Sequence, residues 1–218
     1  MSSQMPDFPQ PRCRLIIARH GETVFNAAGR LQGTHLHTPL TRSGFAQADA
    51  MGAALRERLG AQPDLALWAS DTGRANQTLA IITEHLGLDW HDTSTDPRLR
   101  EIDTGAWGGC YYADLARERG SVIDAETGLL LVAPEGEDYP AIAARLAAWL
   151  AEHGQSERDM LVIMHGISSR ILRGMLTGLP PLPGYGVPVG PGLPQGSVVS
   201  IAHGSEEILV TGTGGGRA

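Results

Sequence analysis

The sequence predicts one α/β domain in which helices cover both faces of a mostly parallel central sheet, a three-layer α/β/α sandwich. Short apolar runs without polar alternation, typical of strands buried on both faces, are separated by segments with helical periodicity. This alternation of strand and helix is the usual pattern of a parallel sheet. The 218 residues suit a single domain, and no change of composition marks a boundary within it. With 42% hydrophobic and 19% charged residues, the chain can form a full core and is not disordered.

The first half of the chain contains two strand–helix pairs. The apolar run at 13–18 predicts the first strand. A helix follows to about residue 59, begun by Thr41 or Ser43 as its cap and ended by Gly60. The second strand is predicted at 64–69 and its helix at 73–85.

The second half repeats the pattern and closes with two strands. Helices are predicted at 141–153, where Pro140 stands in the first turn, and at 167–177, with a strand at 160–164 between them. The last strands are predicted at 197–203 and 206–211, joined by a turn at Gly204–Ser205. The remaining segments are expected to be irregular: loops at 120–137 and 178–196, a flexible N-terminal arm at 1–12 and a flexible tail at 212–218, which leaves 13–211 as the domain.

Charge and cysteine content exclude several classes of function. The net charge of −7 and the isoelectric point near 5.6 argue against a nucleic-acid binder. No run approaches the ~18 apolar residues that span a bilayer, and the N-terminus has no apolar signal segment. Cys13 and Cys110 have no metal-site spacing and are expected to be free thiols, so a reducing cytoplasm is the expected location.

Charged and imidazole side chains follow three of the predicted strands. Arg19 and His20 end the first strand, and His165 ends the third, with a glycine after each histidine. Arg74 opens the helix after the second strand. Ligands of open α/β sheets bind at the carboxyl ends of the strands, and arginine forks favour phosphate dianions. These four residues therefore predict an anion pocket, although each one alone could be an ordinary rim or surface residue.

Five blocks of sequence, in order and spread over about 13–205, resemble the histidine phosphatase superfamily, also called the phosphoglycerate mutase-like family. The blocks are Arg19-His20-Gly21-Glu22-Thr23 with Asn26; Arg30-Leu31-Gln32-Gly33 and Pro39-Leu40-Thr41; Ser70 to Thr78; Leu99 to Trp107; and His165-Gly166. The first block alone is moderately specific, whereas the five together are strongly specific.

The resemblance implies a role for each matching residue. His20 resembles the nucleophile that forms a phosphohistidine, and Arg19, Arg74 and His165 resemble the clamp around the phosphoryl group. Glu101 resembles the general acid and base, a role that burial and neighbouring charge can support in a carboxyl group. The further phosphate or substrate contacts implied are Thr23, Asn26, Gln32, Gly33 and Gly166. Glu22 is implied to hold the site together, and Asp103 is the competing carboxylate.

Four positions differ from the common family pattern. Asp71 stands where many relatives have proline and could cap the following helix; His37 stands in place of a common aspartate, Gly108 in place of a frequent glutamate, and Gln195 in place of a frequent asparagine. None of them belongs to the phosphate-binding core. They weaken only the inference of this protein's substrate from the substrates of its relatives.

The predicted function is hydrolysis of a small phosphomonoester without metal or cofactor. A cofactor-dependent phosphoglycerate mutase is the nearest alternative, but the stretch after Trp107 has no lysine or arginine before Arg117. A phospho-ligand-binding protein without turnover is a further alternative. A zinc site from His35, His37 and His91 lacks a completing carboxylate or cysteine. The sequence is compatible with a homodimer, but it identifies neither the oligomeric state nor the substrate.

Overall fold

A six-stranded sheet runs through the protein, of which the computed structural model describes residues 8–215. Its strands, in chain order, are β1 (Leu15–Arg19), β2 (Leu65–Ala69), β3 (Ser94–Thr95), β4 (Asp159–Met164), β5 (Val198–Ala202) and β6 (Ser205–Val210). The spatial order is β3-β2-β4-β1-β5-β6. The first four strands in this order are parallel, and β5 is antiparallel to both β1 and β6. The predicted single α/β domain with a mostly parallel sheet is confirmed.

Six α-helices accompany the sheet within residues 8–215. They are α1 (Val24–Ala28), α2 (Arg42–Leu59), α3 (Gly73–Leu86), α4 (Tyr112–Arg119), α5 (Tyr139–His153) and α6 (Gly166–Leu176). Strand β1 is buried on both faces and supplies alternate side chains to two cores. Ile16 and Ala18 pack with α2 and α3, whereas Leu15 and Ile17 pack with α5 and α6. Helices therefore cover both faces, as the apolar runs predicted.

Two helices, α1 and α4, were not predicted. Helix α1 has only five residues and begins at a capping box in which Thr23 and Asn26 exchange hydrogen bonds. Helix α4 is mostly polar, and Leu115 is its one buried residue. Short helices with so little apolar surface have no visible hydrophobic period, so the sequence pattern could not mark them.

Two local predictions were wrong. The turn between β5 and β6 is His203–Gly204, one residue earlier than predicted; both residues have positive φ (51° and 76°), as a two-residue hairpin with the twist of its strands requires. Asp71 does not cap α3, whose N-cap residue is Thr72 and has no side-chain capping hydrogen bond. The Asp71 carboxylate instead pairs with the Arg100 guanidinium.

The predicted loops are irregular, but part of each is buried in the core, for example Leu129 and Val187. Segments 120–137 and 178–196 contain no helix or strand. Residues 8–12 of the expected arm contact the domain, since Phe8 packs against the core and the Arg12 N–H donates to the Gly154 carbonyl. In the expected tail, the Gly212 N–H donates to Ser197 Oγ. Residues 1–7 and 216–218 lie outside the described residues. Over 8–215, no helix has the length and apolarity needed to cross a membrane.

Candidate active site

The register of β1 against β4 brings His20 and His165 together. The two strands are parallel neighbours, and Arg19 pairs with Met164 at their carboxyl ends. Each histidine is the next residue along its strand, and the His20 N–H donates to the Met164 carbonyl at 3.1 Å. The two imidazole ring centroids are 5.1 Å apart, with the rings at 64° to one another. His20 and His165, which follow two different strands in the sequence, are thus neighbours in space.

The environment of His20 selects one neutral tautomer. Its Nδ1 lies 2.7 Å from the Gly21 carbonyl oxygen, which can only accept, so Nδ1 carries the proton. Burial, followed by the charges of Arg74 and Arg19, lowers the His20 pKa well below its ordinary value. The imidazole is therefore neutral at physiological pH. Its Nε2 then holds a free lone pair, which is what a nucleophile needs.

His165 has the opposite tautomer. Arg74 Nε donates to its Nδ1 at 3.2 Å, so the proton of the neutral ring is on Nε2. That Nε2 is buried and has no hydrogen-bond partner among residues 8–215. Burial, then Arg74 and His20, lowers the pKa of His165 as well. His165 thus offers one N–H donor beside a ring that offers a lone pair.

Arg74 is fully buried and held by backbone oxygens from the loop before α2. Its Nη1 donates to the His35 carbonyl at 2.6 Å and to Thr38 Oγ1 at 3.2 Å, and Nη2 donates to the Gly33 carbonyl at 2.8 Å. With the bond to His165, four of its five N–H groups are used. Burial lowers its pKa to about 10, so the guanidinium stays charged at neutral pH.

Arg19 supplies the second buried positive charge. It is only 5% exposed, and its Nη1 donates to the Leu193 carbonyl at 2.6 Å. Burial lowers its pKa to about 10, partly offset by the negative charge of Glu101. Arg19 and Arg74 therefore place two charged guanidinium groups around a pair of neutral imidazoles.

The Glu101 side chain is held against the start of α6, the helix that begins directly after His165. Its Oε1 accepts the backbone N–H groups of Ile102, Ile167 and Ser168 at 3.0–3.1 Å, and its Oε2 shares the N–H of Ile167 at 3.0 Å. The carboxyl group therefore satisfies orphan N–H groups of the helix. Oε2 has only this one shared bond, so it is the oxygen with room to exchange a proton.

A small pocket opens beside Arg19, His20 and Glu101, whereas Arg74 and His165 are not among its lining residues. It is lined by Arg19, His20 and Glu101 together with Asn26, Gln32 and Gly33, all six of which the sequence analysis selected. Five further lining residues were not selected: Leu31, Ile102, Thr104, Tyr112 and Leu130. Apolar residues give no sequence signal of a site, and Leu130 comes from a loop whose course the sequence does not reveal.

Thr23 and Gly166 lie behind the pocket wall. Thr23 is completely buried, and its hydroxyl lies 2.7 Å from Gln32 Oε1 and 2.9 Å from Asn26 Oδ1. It orients those two amides. Gly166 is buried as the first residue of α6.

Gly21 and Glu22 of the first motif connect the site to helix α2. A Cβ on Gly21 would lie 2.3 Å from the Gly44 carbonyl oxygen, so the two backbones can approach only because both residues lack side chains. Glu22 Oε1 accepts from Thr41 Oγ1 at 2.7 Å, and the Glu22 N–H donates to Gln47 Oε1 at 2.8 Å. Glu22 thus holds the loop in place, as the sequence analysis expected.

Thr78 is a supporting residue whose role could not be assigned from the sequence. Its hydroxyl donates to the Arg74 carbonyl at 2.8 Å and accepts the Gly21 N–H at 3.2 Å. It lies one helical turn after Arg74 in α3 and is the last residue of the block Ser70 to Thr78, two signals that could have selected it.

Asp103, the competing carboxylate, does not line the pocket, and the candidate zinc ligands do not form a cluster within the described part of the chain. Asp103 is exposed, and its Oδ1 accepts the Gly105 N–H at 2.9 Å. Within residues 8–215, no three histidine, cysteine, aspartate or glutamate side chains cluster as metal ligands. Gly108 lies against His35, where a Cβ would be 3.3 Å from the imidazole Nε2.

Several known proteins are similar to this chain in sequence and in fold. A protein from Yersinia pestis named "Probable phosphoglycerate mutase GpmB" is 33% identical over 174 residues, which cover 77% of this chain and 76% of that protein. The solved structure of mycobacterial glucosyl-3-phosphoglycerate phosphatase in complex with VO3 is 30% identical, with a TM-score of 0.67 over 91% of this chain and 98% of that one. The structure of mycobacterial hydrolase 1 is 26% identical, with a TM-score of 0.68 over 93% and 100%.

The family model for the histidine phosphatase superfamily (branch 1) matches residues 15–212. This range contains every residue of the pocket and of its support. The parallel strands with two imidazoles at their ends are consistent with this match. The chain belongs to branch 1 of the histidine phosphatase superfamily.

Proposed function

We propose that the protein is a phosphomonoesterase that transfers the phosphoryl group of its substrate to His20 Nε2. The observation that carries this proposal is the bond from His20 Nδ1 to the Gly21 carbonyl, because it leaves Nε2 unprotonated and fixes the ring. The lowered pKa of His20 keeps the ring neutral over the physiological range. The relatives named as a phosphatase and a phosphoglycerate mutase support the same chemistry.

Arg19, Arg74 and His165 would bind the phosphoryl oxygens. The transferred group carries negative charge on three oxygens in the transition state, and preorganised donors at that point lower the barrier. The Nε2–H of His165 and one remaining Nη2–H of Arg74 are donors of this kind. Two guanidinium charges in a buried pocket supply the electrostatic role that metals have in other phosphatases, so we propose that neither metal nor cofactor is required.

Glu101 would move the proton in both half-reactions. In the first, the His20 Nε2–phosphorus bond forms as the ester P–O bond breaks, and Glu101 gives its proton to the departing oxygen. In the second, water attacks phosphorus, Glu101 takes a proton from it, and the P–N bond breaks to release inorganic phosphate and free His20. Atoms and protons balance over the cycle, and Glu101 returns to its protonated form.

A phosphohistidine trap tests the proposal. Rapid acid-free quenching of the protein with 4-nitrophenyl phosphate should give the mass increase of one phosphoryl group, stable in base and labile in acid. His20→Ala should lose both the adduct and turnover while keeping its circular dichroism spectrum. His91→Ala, which changes an exposed histidine, is the matched control and should behave as wild type. Near-wild-type turnover by His20→Ala, or activity abolished by EDTA, would overturn the mechanism.

Phosphoglycerate mutase activity is the second candidate, supported by the name of the Yersinia relative. A mutase would convert 3-phosphoglycerate to 2-phosphoglycerate and would need the phosphohistidine to survive until the product returns to it. Incubation with 3-phosphoglycerate therefore separates the two functions. Release of inorganic phosphate without isomer supports the phosphatase.

The protein is proposed to act in the cytoplasm. Cys13 and Cys110 are both free, as the reducing compartment favours. Fractionation of cells with an antibody to the protein tests this location.

A further inference from the structure

Glu101 stands on a segment of the chain that has no helix or strand. Residues 100–104 are irregular and lie between two single turns of 3₁₀ helix. The backbone N–H groups of Ile167 and Ser168 hold only the carboxyl end of the Glu101 side chain. Negative charge strengthens these bonds, so they weaken when Glu101 is protonated. Protonated Glu101 is the form that would donate the proton, and its backbone therefore needs a support of its own.

Arg145, on helix α5, holds the backbone of this segment. Its Nη2 donates to the Glu101 carbonyl oxygen at 3.3 Å, and its Nη1 donates to the Arg98 carbonyl oxygen. One planar guanidinium thus fixes two carbonyl groups, one of them that of Glu101 itself. Leu146 and Trp149 of α5 are completely buried. Arg145 therefore projects from a helix that the core holds in place.

Glu137 orients the Arg145 guanidinium. Its Oε1 accepts from Arg145 Nε at 2.7 Å, and its Oε2 accepts from Arg145 Nη2 at 3.0 Å. The side chains of Arg145 and Glu137 are only 17% and 16% exposed, and a bidentate pair of this kind fixes the plane of the guanidinium. The Glu137 N–H also donates to the Asp103 carbonyl oxygen at 3.0 Å. The ion pair thus holds the chain on both sides of Glu101.

We propose that Arg145 is a positioning residue for proton transfer: paired with Glu137, it holds the Glu101 backbone so that the carboxyl group keeps its place while it gains and loses its proton. The inference rests on the proposed function, in which Glu101 is the acid. Arg145 is not among the pocket-lining residues described within 8–215, so it acts through Glu101 and not on the substrate. A displacement of about 1 Å near the reacting groups can cost roughly 100-fold in rate.

The dependence of the rate on the leaving group tests this role. Arg145→Met keeps the aliphatic part of the side chain but makes none of these hydrogen bonds. We expect kcat/KM to fall about 30-fold or more on an alkyl phosphate, whose departing oxygen needs a proton, and less than about threefold on 4-nitrophenyl phosphate. Arg145→Lys should not recover the lost activity, because one nitrogen cannot replace the planar group. Equal losses on both substrates, no loss, or full recovery in Arg145→Lys would overturn the proposal.

Arg173→Met is the matched control. Arg173 lies in the last turn of α6, and its side chain is 2% exposed. It pairs with Glu206 through two bonds of 2.6 and 2.7 Å, so the control removes the same kind of ion pair at the end of α6 remote from Glu101. It should lower the melting temperature and keep the wild-type ratio of kcat/KM between the aryl and alkyl substrates. A ratio changed as much as in Arg145→Met would overturn the specific role of Arg145.

Glu137→Gln is a milder variant, which decides the question if Arg145→Met does not fold. The glutamine has the same shape, but only one of its two terminal atoms can accept from Arg145. We expect kcat/KM to fall about fivefold or more on the alkyl phosphate and less than about twofold on 4-nitrophenyl phosphate, since the charge-assisted pair is lost. Unchanged activity on the alkyl phosphate would contradict the role of the ion pair.

The two proposals can fail separately. If no phosphohistidine forms on His20, or if Glu101→Gln shows no dependence on the leaving group, the proposed mechanism is wrong. If Glu101→Gln loses activity selectively on alkyl phosphates and Arg145→Met does not, the mechanism stands and only the positioning role of Arg145 is wrong.

Discussion

Arg74 and His165 are joined by a hydrogen bond of 3.2 Å from the guanidinium Nε to the imidazole Nδ1. Helix α3 and the start of helix α6 thereby meet at one point of the pocket, and the tautomer of His165 depends on a residue 91 positions earlier. The other N–H groups of the same guanidinium bind the loop that contains Gly33 and His35. One side chain thus aligns a donor and the loop that lines the pocket.

Arg74→Lys is expected to lose most of the activity although it keeps the charge. A lysine has one nitrogen and cannot reach His165, His35 and Gly33 together. We expect kcat/KM to fall by roughly 10²–10³, the usual loss when a preorganised donor is removed. Arg42→Lys, at an exposed first position of α2, is the matched control and should change kcat/KM by less than twofold. A loss below about threefold in a folded Arg74→Lys would contradict this role.

The two buried histidines predict how stability depends on pH. Both have a pKa well below 6.5 in the folded protein, whereas in the unfolded chain it is about 6.5. Below this pH the unfolded chain binds protons that the folded protein does not, so the free energy of unfolding decreases as the pH falls. Above about pH 6.5 the two histidines leave the free energy of unfolding at its full value. Below this pH each histidine lowers the free energy of unfolding by about 1.4 kcal/mol per pH unit.

Urea unfolding between pH 5 and pH 7.5 measures this slope. A double variant, His20→Gln with His165→Gln, should have a shallower slope than wild type over the same range. The exposed pair His37→Gln with His91→Gln is the control and should keep the wild-type slope. A parallel slope in the first variant would show that these histidines are not neutral in the folded protein.

Thr78→Val is expected to disturb the nucleophile without touching substrate. The valine keeps the shape but leaves the buried Gly21 N–H unpaired, which costs about 1–3 kcal/mol of stability. Because the Gly21 carbonyl holds His20 in its tautomer, we expect kcat to fall about tenfold with KM nearly unchanged. Thr78→Ser should restore both.

Thr83→Val is the matched control for this position. It removes a buried hydroxyl from the same helix, where the donor bonds only to the Ala80 carbonyl. It should lower the melting temperature slightly and leave kcat as in wild type. If both valine variants lose the same activity, Thr78 has only a structural role.

Much of the phosphate-binding group could be predicted from the sequence because it lies at strand ends. Arg19, His20 and His165 each follow an apolar run, and parallel strands place such residues at one edge. The contacts of the fourth residue, Arg74, could not be predicted. Its acceptors are carbonyl groups, which every residue has, so their identity depends on how the loop folds.

The other residues that line the pocket could not be predicted from the sequence, for a related reason. Tyr112 follows the Glu101 block closely, but Leu130 is far along the chain from every motif residue, and nothing local marks either one. The Asp71–Arg100 pair likewise joins residues 29 positions apart. Long-range packing decides these contacts, whereas local pattern decides only helix, strand and cap.

The Glu101 carboxyl group has two roles that one substitution can separate. It accepts three backbone N–H groups, two of them at the start of α6, and Glu101 lines the same pocket as His20. Glu101→Gln keeps an acceptor for the helix but cannot exchange a proton. We therefore expect a small loss of stability, whereas Glu101→Ala should lose about 1–2 kcal/mol as a removed cap does.

The kinetic result should depend on the leaving group. As the proposed proton donor, Glu101 matters most for alkyl phosphates, so Glu101→Gln should lose roughly 10²–10⁴ in kcat/KM on them and much less on an aryl phosphate with an acidic phenol. Vanadate binding should persist, since Arg19, Arg74 and His165 are unchanged. Asp103→Asn, at the exposed neighbouring carboxylate, is the control and should lose nothing. Equal losses on every leaving group would remove Glu101 as the acid, because a group that only holds α6 in place would slow all substrates alike.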